Sequence, residues 1–236
     1  MIPSLYDYFG MRSRYSIPLS KFMENPSLYT RRKKMNWFTR NPMAVEFSIP
    51  SNVCENGTLF TRRLMQINDT FALVMLAERL EESMVLLREI FRWSWNDVVF
   101  FRTNERCDCS PRTLVDESLS RRIQKWNAVD LALYKYFEME FERKKRVYGL
   151  TKFRTDVDFL KRLNHQWYKH CVIGTDIAPR CRCGSNGTIS SSDSEALLYS
   201  RTVRKDDLNC QKLGLHEMHY TQILRKKLWP NLTRTE

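Results

Sequence analysis

Residues 71–101, FALVMLAERLEESMVLLREIFRWSWNDVVFF, constrain the fold more than any other stretch, because three periodicities follow one another there without a break. Phe71 to Leu76 is a continuous apolar run without alternation, which suits a strand covered on both faces in a parallel sheet. Leu80, Met84, Leu87 and Phe91 then recur at helical spacing, flanked by Ser83, Leu86 and Ile90, while Glu78, Arg79, Glu81, Glu82, Arg88 and Glu89 fill the other face. Acidic residues crowd the first turns and Arg92 closes the helix, the order its dipole favours. Trp93 and Trp95 lead through Asn96 and Asp97 into a second short apolar run, Val98 to Phe101. The stretch is expected to form strand, helix, strand, with both strands in one parallel sheet joined by a right-handed crossover.

The rest of the chain is helix-rich around this unit. Pro18 to Arg32 is a short helix candidate followed by the basic run Arg31 to Lys34; Asn36 to Ile49 and Ser51 to Thr58 read as loops, the first with a helical turn. Thr103 to Pro111 is a polar connector. Two helices are expected from Asp116, with Asn127 as a cap between them and the second ending near Gly149. A further helix is expected over 150–171, with Phe153, Val157, Leu160, Leu163, Trp167 and Cys171 as its core stripe. Residues 174–195 are poor in apolar groups, and Arg180 to Ser194 is expected to be the least ordered internal part. The tail from Leu213 to Trp229 is amphipathic and basic.

Composition leaves several partners open. The chain has 236 residues, 42% of them hydrophobic, and only seven glycines and eight prolines, which favours helix-rich α/β over all-β architecture. A formal charge of +12 fits nucleic acid, anionic lipid or a phosphate-bearing nucleotide, and equally a basic solvated surface. The chain contains no run of eighteen apolar residues. Sequons at Asn56, Asn68, Asn186 and Asn231, against roughly two expected by chance, tilt toward a lumenal history.

Seven cysteines include two Cys-x-Cys pairs, Cys107/Cys109 and Cys181/Cys183, which leave zinc, a disulfide or free thiols open, whereas Cys171 reads as a small core residue. His165 and His170, like His216 and His219, share a helix but lack a carboxylate at ligand spacing, so no metal is assigned. The chain carries no serine elbow, kinase signature or glycine-rich phosphate loop.

The order of residues in 71–106 resembles the galactose-3-O-sulfotransferases. The likeness continues in Trp126-Asn127-Ala128-Val129-Asp130-Leu131-Ala132-Leu133-Tyr134, in Phe137 and in Lys169-His170-Cys171. Upstream it includes Lys21-Phe22-Met23-Glu24-Asn25-Pro26 and Arg40-Asn41-Pro42-Met43-Ala44, and it covers about residues 2–173.

The resemblance implies a Golgi membrane enzyme, facing the lumen, that moves a sulfuryl group from 3′-phosphoadenosine 5′-phosphosulfate to the 3-hydroxyl of a terminal galactose on a glycolipid or glycan, with no metal and no nucleic acid. It also implies the helix-rich C-terminal portion, 1–173, of a P-loop-like α/β sulfotransferase domain with a small parallel sheet, followed by a loop and basic helical tail over 174–236. The family's phosphate loop, its 3′-phosphate arginine and its membrane anchor precede the matched segments. The chain is accordingly expected to be a truncated fragment, inactive alone. Ser4 matches the hydroxyl that bonds the donor's 3′-phosphate, with an ordinary helix-start serine as the alternative; no catalytic base is matched. The competing expectation is a basic helical module that grips nucleic acid or an anionic surface, distinguished by whether a phosphate loop and anchor lie in frame upstream of Met1.

Overall fold

The computed structural model describes residues 18–30, 40–49, 57–102, 115–176, 200–215 and 217–228. Its frame is two long helices, α7 (Ala128–Tyr148) and α8 (Leu150–Cys171), separated only by Gly149. Gly149 has φ 96°, a conformation that a side chain would strain, so the two helices turn where the sequence places the glycine. Both bounds agree with the helical spacing read from the sequence, and Phe137, Phe141, Phe153, Val157 and Leu160 are buried as that spacing requires.

Among the described residues four helices precede the central stretch: α1 (Leu19–Phe22), α2 (Pro26–Thr30), α3 (Pro42–Glu46) and α4 (Gly57–Thr70). The single helix expected over 18–32 is therefore two pieces; Pro26 lacks the amide that would continue α1 and instead starts α2. Helix α4 begins at Gly57, within the stretch read as a loop, and buries Leu64 and Ile67.

The parallel sheet is not formed. Phe71 to Leu76 is irregular backbone that ends in a 3-10 turn, Ala77–Arg79, before α5 (Leu80–Phe91), and Val98 closes a second 3-10 turn, Asn96–Val98. The reason lies in where the backbone groups go. Leu76 N–H donates to Ser83 Oγ at 3.0 Å, and the same hydroxyl donates to Leu76 O at 3.2 Å. Phe100 N–H donates to Asn164 Oδ1 at 3.2 Å. Side chains of α5 and α8 thus take hydrogen bonds that a neighbouring strand would otherwise supply. Both runs still reach the core, where Leu76 and Val98 pack with Val85, Leu86, Phe141, Phe153, Val157 and Leu160. The buried side of α5 is Ser83, Val85 and Leu86, whereas Phe91, expected inside, is half exposed and stacks on Trp93.

Helix α6 (Glu117–Trp126) opens on Asp116, whose side chain accepts from Leu119 N, and its Leu119 packs with Leu19, Phe22 and Met23. Among the described residues the one sheet is β1 (Val172–Asp176) paired antiparallel with β2 (Ser200–Val203). A short helix, α9 (Leu208–Gly214), packs on β2 so closely that a Cβ at Gly214 would lie 2.7 Å from Val203 Cγ2. The last described element is α10 (Glu217–Leu228). No helix of the described residues is long and apolar enough to cross a membrane.

Candidate functional site

Two of the resembling segments meet inside the molecule. Residues 40–44 form the entry to α3, and residues 126–130 form the junction of α6 and α7. Asn41, in the left-handed region at φ 50°, donates its backbone amide to Asn127 Oδ1 at 2.8 Å, and its own Oδ1 accepts from Asp130 N at 3.3 Å. Asp130 accepts from Met43 N at 3.2 Å and Ala44 N at 2.8 Å, so its carboxylate closes the start of α3 from across the fold. Arg40 lies over the Trp126 ring at 5.0 Å. Asn127 marks the helix boundary read from the sequence, but its side chain does not cap α7; its Nδ2 donates back to Ile123 O.

Burial pushes the Asp130 carboxyl above its ordinary value, against the two amides that favour its charged form. All three polar side chains are buried and mutually satisfied, which makes this cluster a structural lock. Asp130→Ala should cost about 2–4 kcal/mol, because two amides lose a charged acceptor while one buried charge is relieved. The denaturant midpoint reads this loss. The folded state takes up the Asp130 proton first as pH falls, so the parent gains stability there; its margin over Asp130→Ala should widen between neutral pH and the ordinary value of 3.8.

A second cluster ties α5 to α7. Arg79 pairs with Glu82 at 2.5 Å and Glu142 at 2.6 Å, and Lys145 pairs with the same carboxylates at 2.9 and 3.2 Å. Beside it Tyr134 donates to Glu78, which pushes the phenol up to about 12. Two cations are matched by two carboxylates here, and the Arg79 guanidinium lies 4.8 Å over the Phe141 ring, which is an arrangement of a clamp and not of an anion receptor.

The third constellation is open to solvent. His170, in the last turn of α8, has its Nε2 at 3.1 Å from Asp207 Oδ2. Asp207 is held in turn as the N-cap of α9, its Oδ1 accepting from Asn209 N at 2.8 Å and Cys210 N at 3.2 Å. The His170 contact and the two amides hold the Asp207 carboxyl below its ordinary value. That stabilisation is present above the ordinary value and is lost as pH falls through the lowered one.

The imidazole is half exposed and borders a shallow hollow of about 180 Å³ lined by Leu163, Gln166, Trp167 and His170, successive residues of one face of α8. Directly beneath, Cys171 and Cys210 form a disulfide, with both residues buried against Phe101, Trp167 and Leu213. Cys171 is buried in the core, as the sequence reading has it, and is in addition disulfide-bonded.

His170, Asp207 and Cys210 bring ligand atoms within 4.8 Å of one another. The Cys210 sulfur is committed to the disulfide, which leaves two ligands where a catalytic zinc takes three. The arrangement instead is a half-exposed histidine with one ring nitrogen fixed by a carboxylate, a pairing that can orient a proton acceptor. His165, five residues earlier on the same helix, is exposed and does not join it. Ser4, both Cys-x-Cys pairs, His216 and the segment from Arg180 to Ser194 lie outside the described residues.

Among families of known proteins, galactose-3-O-sulfotransferase matches residues 1–228. The chain belongs to the galactose-3-O-sulfotransferase family. It is 30% identical over 157 residues to galactosylceramide sulfotransferase of Mus musculus, covering 66% of this chain and 37% of that protein. It is 29% identical over 224 residues to galactose-3-O-sulfotransferase 2 of Sus scrofa, covering 91% of this chain and 56% of the relative, and 30% identical over 240 residues to galactose-3-O-sulfotransferase 2 of Homo sapiens, covering 95% and 58%. The chain thus spans between about a third and three fifths of the length of these curated relatives. No solved structure matches it. The match extends through β1, β2, α9 and the whole of α10, well beyond the limit near residue 173 read from the sequence.

Proposed function

We propose that this chain serves the transfer of a sulfuryl group from 3′-phosphoadenosine 5′-phosphosulfate to the 3-hydroxyl of a terminal galactose, on a glycolipid such as galactosylceramide or on a glycan, at the lumenal side of the Golgi membrane. The observation that supports it is the family match over residues 1–228. In such a transfer the galactose oxygen attacks sulfur, the bond from sulfur to the donor's phosphate oxygen breaks, and the hydroxyl proton passes to a base. His170, oriented by Asp207, is our candidate for that base, with Trp167 and Gln166 lining the adjacent hollow. Ser4 is our candidate for the hydroxyl on the donor's 3′-phosphate. The reaction as written needs no metal.

The test is to assay the 236-residue chain and a form extended to the relatives' length, side by side, with labelled donor and galactosylceramide. Transfer is expected from the extended form and none from the short one, since no glycine-rich phosphate loop lies within the 236 residues. Donor binding rests on such oriented amides, and loss of even one donor in a site of this kind costs on the order of a hundredfold in rate. Turnover by the short chain would show that the donor site lies within it; inactivity of both would overturn the reading.

A further inference from the structure

Helix α10 is exposed almost all round: from His219 to Leu228 every side chain except Thr221 is open to solvent. Four of these are large and apolar, Tyr220 at 42% exposure, Ile223 at 51%, Leu224 at 44% and Leu228 at 62%. Their spacing of i, i+3, i+4 and i+8 sets them along one side of the helix. Arg225, Lys226 and Lys227 follow in the last turns, against one carboxylate in the element, Glu217. Twelve residues make a helix that is marginal in water by itself, so a surface that covers the apolar side would hold it.

We infer that α10 docks on an anionic lipid surface, with Tyr220, Ile223, Leu224 and Leu228 entering the headgroup boundary and the three cations meeting lipid charge. Charge selects this occupant. At a net +12 two copies of the chain repel one another, whereas an anionic bilayer attracts them. Helices that lie in an interface combine basic residues with aliphatic ones in this manner, and the Lys227 stem can run along the apolar side while its amine reaches outward. Nucleic acid would use the cations but leave three aliphatic side chains in water. This surface is independent of the sulfotransferase reading, since a bilayer can be bound without any turnover.

The test is co-sedimentation of the 236-residue chain with phosphatidylcholine vesicles, with and without phosphatidylserine. Binding is expected only where phosphatidylserine is present, and it should fall as salt is added. Each cation near such a surface contributes roughly fivefold in affinity, so the R225Q/K226Q/K227Q variant should bind about a hundredfold more weakly. I223S/L224S should also weaken binding, with an unchanged circular dichroism melt because both positions are exposed. Equal binding to neutral vesicles, or a triple variant that binds as tightly as the parent, would overturn the inference. So would a chain that ignores vesicles and instead dimerises through Ile223 and Leu224 or shifts a labelled RNA.

Discussion

Replacing His170 by asparagine, in a form of the protein that transfers sulfate, should lower kcat by about 10²–10⁴-fold, the range that a positioned proton acceptor supplies. The expectation rests on geometry: Asp207 fixes one ring nitrogen at 3.1 Å and is itself fixed by two backbone amides at the start of α9, so the ring is held in one orientation. KM should move much less, because the imidazole is asked to act on the hydroxyl proton and not to hold the sugar. The discriminating readout is chemical rescue: imidazole added to the variant should restore part of kcat. A fall in kcat that added imidazole does not relieve would reduce His170 to a structural partner of Asp207. Asp207→Asn should give a smaller fall of the same kind, since the ring would keep its place on α8 but lose its orientation.

Cys171→Ser with Cys210→Ser should destabilise the chain by about 4 kcal/mol, because the bridge closes a loop between residues 39 apart and so removes much of the unfolded chain's freedom. Serine adds to the loss by placing hydroxyls among Phe101, Trp167 and Leu213, where the sulfurs are fully buried. Denaturant melts with and without a dithiol reductant measure the effect: reduction should lower the parent's midpoint by more than the variant's. An equal midpoint for both proteins would mean that β1, β2 and α9 hold without the bond. Because Asp207 sits three residues before Cys210, the same loss should loosen the carboxylate that orients His170.

The sequence carried the long helices in full. Spacing of Phe137 and Phe141, then Phe153, Val157 and Leu160, with Gly149 between, states two helices and a turn without any reference to the rest of the chain. What it could not carry were partners distant in sequence. Asp207 lies 37 residues from His170 and Cys210 lies 39 from Cys171, in a region of little periodicity, so neither pairing left a local trace. The lost sheet has a different cause. An apolar run reports that backbone is buried, not which group satisfies it, and Ser83 looked like a flank of the α5 stripe when it is the partner of Leu76. Helix α4 starts at Gly57, inside the polar stretch Ser51 to Thr58 that reads as a loop.

The contact between Ser83 and Leu76 also bears on the order in which this part assembles. It spans seven residues, so once α5 forms its first turns the run before it can be fixed by closing a very short loop, at little entropic cost. A parallel pairing of the two apolar runs would have had to wait for the whole intervening helix and its return. The second run relies on a longer closure: Phe100 meets Asn164 of α8 across 64 residues, the kind of contact that slows folding. Residues 71–91 are in this respect tied together by a short-range contact, whereas residues 98–101 depend on a long-range one.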